Sequence, residues 1–72
     1  MKLDYFADTD TLYIGLVDRP SVESEEIAEG IVVDYDASGR VVGFEIDPAS
    51  GKVDLERLRL VGIPGKVETA AA

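Results

Sequence analysis

The stretch from Gly30 to Ile46 constrains the fold of this chain more than any other feature. Its two halves, GIVV and RVVGFEI, are rich in β-branched residues, and the apolar residues of the second half alternate with period two. Between them lies DASG (36–39), whose glycine suits the positive φ of a tight turn. The pattern predicts a β-hairpin in which Asp36 and Ser38 bond nearby backbone amides.

Two registers of this hairpin are compatible with the sequence. A four-residue loop sets Val33 opposite Val42 and Ile31 opposite Phe44, and these four side chains then share one face. A bulge at Gly39 shifts the register by one residue.

The same stretch also matches the letters of an EF-hand calcium loop. Asp34, Asp36, Ser38, Gly39 and Glu45 occupy the positions of four ligands and of the central glycine. An EF-hand loop needs a helix on each side, whereas the flanks here predict strands. On the predicted hairpin Asp34 lies near the tip and Glu45 roughly 13 Å away, at about 3.3 Å per residue. Calcium ligands converge to within about 2.6 Å of one ion, so we expect no EF-hand site.

The remaining strands follow from similar patterns. Residues 2–6 and 11–17 are separated by the turn ADTD and predict a first hairpin. Residues 22–36 are acidic first and apolar afterwards, and with Gly30 at the change they predict one long bent strand. A fourth strand ends at Asp47-Pro48. The predicted fold is α+β, mainly β: a four-stranded antiparallel meander with one short C-terminal helix.

The C-terminal helix is predicted from a short stretch after residue 53. Asp54 can cap it, Leu55 and Leu58 are three residues apart, and Arg57 and Arg59 lie toward its end. Such a helix has only about two turns and depends on packing. Residues 1–62 are therefore predicted to form a single domain, and residues 63–72 a flexible tail.

Composition narrows the chemistry available to the chain. Its 72 residues include no histidine and no cysteine, which removes the usual general base, the thiol nucleophile and the commonest transition-metal ligands. Carboxylate pairs remain, with Asp8 and Asp10, or Glu23, Glu25 and Glu26, as candidates. Charged residues on a solvent-exposed strand explain the glutamates more simply. We expect no enzyme activity, no catalytic residues, no metal and no cofactor.

The net charge of the chain limits the kinds of molecule that it is expected to bind. With 15 acidic and 7 basic residues the net charge is -8, which disfavours nucleic acid and anionic membrane surfaces. A basic protein is a better electrostatic match. The N-terminal MKLDYF has no apolar signal segment, so the expected location is cytoplasmic.

The order of these motifs resembles the YuzE-like family of small bacterial proteins of unknown function. The matching elements are LDYFADTDTLYIGL, the acidic ESEEIAEG, the hairpin IVVDYDASGRVVGFEI and the DPAS that follows, over about residues 3–50. The resemblance implies an antiparallel sheet with a C-terminal helix and supplies no catalytic residues. The association of such proteins with toxin–antitoxin genes implies an antitoxin-like or partner-binding role.

Self-association is the last expectation. One face of the predicted sheet is fully apolar, the opposite face is also partly apolar, and one short helix covers only one of them. An exposed apolar patch of several hundred Å² is unusual in a monomer, so we expect a homodimer. The predicted interface residues are Tyr13, Gly15, Val17, Val32, Val41 and Gly43. The expected function is a small acidic non-enzymatic protein-interaction module, with an antitoxin-like protein that neutralises a basic partner, or a calcium-binding protein or carboxylate-based hydrolase, as alternatives.

Overall fold

A computed structural model describes residues 1–70 as a mainly β fold built on one five-stranded sheet. Every pairing is antiparallel, and the spatial order is β1-β2-β5-β4-β3. A single 3₁₀ turn follows the last strand. The elements are β1 (Lys2–Phe6), β2 (Thr11–Gly15), β3 (Glu23–Ala28), β4 (Ile31–Tyr35), β5 (Val41–Ile46) and the 3₁₀ turn (Ala49–Gly51).

The predicted long bent strand is wrong, because the chain reverses at Gly30 and forms β3 and β4 as separate strands. Gly30 has a φ of 75°, and a Cβ there would lie 1.9 Å from the carbonyl oxygen of Asp47. The Asp47 N–H in turn donates to the Gly30 carbonyl at 2.8 Å. Only glycine fits this turn, which holds the β3–β4 connection against the end of β5.

The predicted meander is also wrong, because β2 pairs with β5 rather than with the next strand in the sequence. This pairing sets Leu12 opposite Ile46 and Ile14 opposite Phe44, so the apolar residues of the first hairpin extend those of the second. The connection 16–22 reaches β3 at the far edge. It is tied to the hairpin tip by a 2.9 Å ion pair from Arg19 Nε to Asp36 Oδ2.

The β4–β5 hairpin has the second of the two predicted registers at its tip, where the Gly39 N–H donates to the Asp36 carbonyl at 3.0 Å and Gly39 has a positive φ. Tyr35 pairs with Val41 across residues 36–40, and an irregularity beside Asp34 shifts the remaining pairs further. Val33 therefore lies opposite Phe44, two residues beyond its position in the four-residue-loop prediction. Val33 and Val42 still share a face, because a shift of two residues preserves the alternation.

The loop itself has the expected local chemistry. The Asp36 carboxylate accepts the backbone N–H groups of Ser38 and Arg40, both at 2.9 Å, and Gly39 has a φ of 79°. Both bonds end on the same Asp36 oxygen, so one side chain closes the hairpin tip.

The predicted C-terminal helix is wrong, since residues 54–70 are irregular. The Asp54 carboxylate does accept the Glu56 N–H at 3.0 Å, so the capping bond forms without a helix. Leu58 remains 68% exposed, and a two-turn helix without packing is not stable in water. Of the predicted tail 63–72, residues 71 and 72 lie outside the described residues.

The sheet has two chemically different faces. The first, here called the apolar face, carries Leu3, Tyr5, Leu12, Ile14, Ile31, Val33, Phe44 and Ile46. The second, here called the carboxylate face, carries Lys2, Asp4, Tyr13, Gly15, Val32, Asp34, Gly43 and Glu45. The buried hydrophobic core is small, comprising Val33, Val42, Ile46 and Ala49.

Candidate functional site

Two carboxyl groups meet on the carboxylate face. Asp34 on β4 lies opposite Gly43, and Glu45 is two residues further along β5 on the same face. Asp34 is only 4% exposed, and the Ser24 hydroxyl on β3 donates to its Oδ1 at 2.5 Å. Three adjacent strands thus contribute one polar side chain each. The predicted separation of roughly 13 Å between Asp34 and Glu45 is wrong, because the irregularity beside Asp34 sets it opposite Gly43, only two residues from Glu45.

The pair favours retention of a proton. Burial of Glu45 raises the pKa of its carboxyl group, and the negative charge of Asp34 and a hydrogen bond between the two groups raise this pKa further. A protonated Glu45 can donate this hydrogen bond to Asp34, whereas two neighbouring ionised carboxylates repel each other. The arrangement can therefore hold or release a proton within the sheet.

The ring of Tyr13 lies beside this pair. A Cβ at Gly43 would be 2.6 Å from the Tyr13 hydroxyl oxygen, and a Cβ at Gly15 would be 3.1 Å from its ring. The two glycines, which were predicted as interface residues, therefore make room for a ring of their own chain. This packing also limits access to Asp34 and Glu45 from the direction of β2.

The six predicted interface residues do not form one uniform surface. Tyr13 and Val32 are half-buried on the carboxylate face, Gly15 and Gly43 are buried beneath the tyrosine, and Val17 and Val41 are exposed. The dimer contact through these residues stays a prediction.

A second polar cluster surrounds Asp10. Its carboxylate accepts the hydroxyl of Tyr5 at 2.8 Å, the hydroxyl of Ser50 at 2.5 Å and the Ser50 N–H at 3.1 Å. The Asp10 carbonyl also accepts the Ala49 N–H at 2.7 Å. The hydrogen bond from the Ser50 hydroxyl, followed by that from Tyr5, lowers the pKa of Asp10. This cluster fastens the 3₁₀ turn to the β1–β2 turn.

The other candidate carboxylates are dispersed. Asp8 is exposed, while Glu23 and Glu25 share one face of β3, opposite Tyr35 and Val33, as their spacing predicts. Within residues 1–70, no three acidic side chains converge as metal ligands. Two surface depressions, of about 230 Å³ beside Arg19 and about 460 Å³ beside Tyr13, are not lined by Asp34 or Glu45.

The Ser24–Asp34–Glu45 cluster was not predicted from the sequence. Its members come from three strands, and their convergence depends on the turn at Gly30 and on the length of the 36–40 loop. The sequence signal that could have indicated the cluster was a single acidic residue, Asp34, within the otherwise apolar and aromatic strand IVVDY.

The comparisons with known proteins place the chain in a family. A family model described as a protein of unknown function, DUF2283, matches residues 2–50, and the chain belongs to that family. No curated protein and no solved structure matches the chain. The matched region includes all five strands and the first part of the 3₁₀ turn. Over the part of the chain that the structure describes, no helix has the length and apolar character needed to cross a membrane.

Proposed function

We propose that this protein is a small acidic non-enzymatic protein-interaction module that works as a cytoplasmic homodimer. The observation that carries this proposal is the amount of exposed surface. The chain exposes 5798 Å², whereas a compact monomer of 7.7 kDa exposes about 4300 Å². The excess of about 1500 Å² is larger than the ~800 Å² that each partner contributes to a standard interface.

The radius of gyration supports the same conclusion. It is 12.9 Å for the Cα atoms, compared with about 11 Å for a compact chain of 72 residues. A sheet with no helix packed on it and an irregular C-terminal segment explain the larger value. Burial of apolar surface against a second copy supplies the second layer that such a sheet needs.

The geometry favours the β1–β2 part of the apolar face as the contact, because Val33, Val42 and Ile46 on the rest of this face are already buried within the chain. Leu3 is 43% exposed there, beside half-buried Leu12 and Ile14. The carboxylate face carries Asp34 and Glu45, and covering them with a second copy adds a desolvation cost for any charge that they hold. For this reason we prefer the apolar face to the interface predicted around Tyr13 and Val41.

The test uses two substitutions on the same edge strand. Leu3→Glu places a charge on the apolar face, and Phe6→Glu, at a position 50% exposed, places one on the opposite face. Light scattering of the wild type should give twice the 7.7 kDa chain mass. Leu3→Glu should shift the mass toward one chain, while Phe6→Glu should not.

Each of the other results decides between explanations. A wild type with the mass of one chain contradicts the homodimer. A dimer that survives Leu3→Glu but dissociates on Val41→Asp, with the fold retained by circular dichroism, returns the interface to the face predicted from the sequence.

A basic partner protein is the second candidate, and the exposure of β3 favours it. All six residues of this edge strand are exposed, and Glu23, Glu25 and Glu26 give it a negative charge. An antitoxin-like protein that neutralises a basic partner would use this edge. Affinity capture from the native lysate tests the idea, with Glu23→Gln/Glu25→Gln as the control bait that should lose a basic partner.

A further inference from the structure

We propose that residues 55–61 of one copy add as an extra strand to the β3 edge of a second copy. This inference rests on the proposed homodimer and names a second contact within it. The exchange is reciprocal, so that two segments and two edges form one closed, two-fold assembly.

The acceptor is the open edge of the sheet. β3 lies last in the strand order, with β4 on one side only. Alternate residues of such a strand direct their N–H and C=O groups away from the sheet, where an added strand can bond them. Glu23 and Glu25 project from one side of β3, with Ser24 and Glu26 on the other.

The donor is a segment with the alternation of a strand. In the sequence LERLRLV, Arg57 and Arg59 alternate with Leu58 and Leu60. Within residues 1–70, the last backbone hydrogen bonds outside the strands join Lys52 and Val53 to Ala49, so no such bond connects the segment to the sheet. The segment has a strand pattern and no strand partner in its own chain.

Charge complementarity selects the occupant. Residues 1–51 contain 3 basic and 12 acidic residues, a net charge of -9, whereas residues 52–72 contain 4 basic and 3 acidic residues, a net charge of +1. The chain is thus divided into an acidic sheet and a mildly basic segment. Arg57 and Arg59 have the same spacing as Glu23 and Glu25, so a strand pairing can set both opposite-charge pairs on one face.

A second copy supplies the edge, rather than the chain's own β3. The chain passes close to its own β3–β4 turn, because Lys52 Cε would lie 2.6 Å from a Cβ at Gly30. Although it begins near this turn, the segment forms no backbone hydrogen bond with β3 of its own chain, and its leucines are exposed. The excess surface of the chain, about 1500 Å², is large enough to include a second contact beside a standard interface of ~800 Å² per partner.

The test is a charge exchange between two variants. Arg57→Glu/Arg59→Glu makes the segment acidic, and Glu23→Arg/Glu25→Arg makes the edge basic. In either variant alone, each segment faces an edge of like charge, so self-association measured by sedimentation velocity should weaken about tenfold or more. An equimolar mixture pairs each acidic segment with a basic edge and each basic segment with an acidic edge, and it should recover wild-type association.

A chain carrying all four substitutions is the folding control, and it should associate like the wild type. If the mixture stays as weakly associated as its components while the four-substitution chain recovers, the segment pairs with its own chain and the exchange between copies is overturned. If both double variants associate like the wild type, the exchange is overturned while the homodimer stands. A monomeric wild type overturns both.

Discussion

The sheet and the C-terminal segment of this protein use apolar residues in opposite ways. In the sheet, Val33 and Val42 are buried between hydrogen-bonded neighbours, and every strand is paired. In residues 54–70, every leucine, isoleucine and valine is exposed, and the backbone forms no regular element. The family match ends at residue 50, close to this boundary. The buried core lies in the sheet and the 3₁₀ turn, and the apolar residues of the segment are left available for another surface.

Glycine substitutions should separate the two regions most strongly. Gly30→Ala adds a Cβ against the Asp47 carbonyl oxygen and forces alanine to positive φ, so we expect a loss of about 3 kcal/mol or more in unfolding free energy. Gly65→Ala, where a Cβ meets no atom within 4 Å, should change it by less than about 0.5 kcal/mol. Urea unfolding measures both. Equal losses would contradict the distinction between the regions.

Valine substitutions should show the same contrast at smaller scale. Val42 is fully buried, and Val42→Ala should cost about 2 kcal/mol through lost burial and the cavity left behind. Val61 is 75% exposed, and Val61→Ala should cost less than about 0.5 kcal/mol in a dilute, monomeric sample. Thermal unfolding below the association range checks the pair. A large loss at Val61 there would mean that the segment packs on its own sheet.

The sheet could largely be predicted, because period-two alternation marks β2 and β5, and β-branched and aromatic residues mark β1 and β4. The reversal at Gly30 could not, since a bend within one strand and a turn between two strands have the same local signal. Pairing of β2 with β5 depends on which distant strands bury Leu12 and Ile14 best, and this choice has no local sequence signature.

The segment and the site were mispredicted for different reasons. Leu55 and Leu58 suggested a helical period, while Leu58 and Leu60 suggest the period of a strand, and seven residues are too few to decide between them. The Asp34–Glu45 pair was missed because one additional loop residue and the irregularity beside Asp34 move the register by two positions. Small changes in loop length therefore determine which side chains meet.

The stability of the sheet region should also depend on pH, with a smaller effect than the substitutions above. Because the pKa of Glu45 is raised in the folded state, its contribution to stability is fully present below its unfolded pKa and is lost as pH rises through the folded value. The pKa of Asp10 is lowered, so its contribution is present above its unfolded pKa and is lost as pH falls through the folded value. Stability should therefore be greatest in mildly acidic solution.

Glu45→Gln isolates the first of these effects. Glutamine is neutral and can still donate a hydrogen bond to Asp34, so the loss of stability with rising pH should disappear or diminish. Glu56→Gln, at an exposed position in the segment, is the matched control and should leave the pH profile unchanged. Urea unfolding across about pH 4 to 8 measures both. An unchanged profile for Glu45→Gln would contradict the raised pKa of Glu45.

The dependence of the thermal unfolding midpoint on protein concentration tests the homodimer most directly. If the excess surface is covered by a second copy, unfolding is coupled to dissociation and the midpoint rises with concentration. We expect a rise of about 5 °C or more for a roughly hundredfold increase in concentration. A midpoint that stays the same across this range would contradict the dimer.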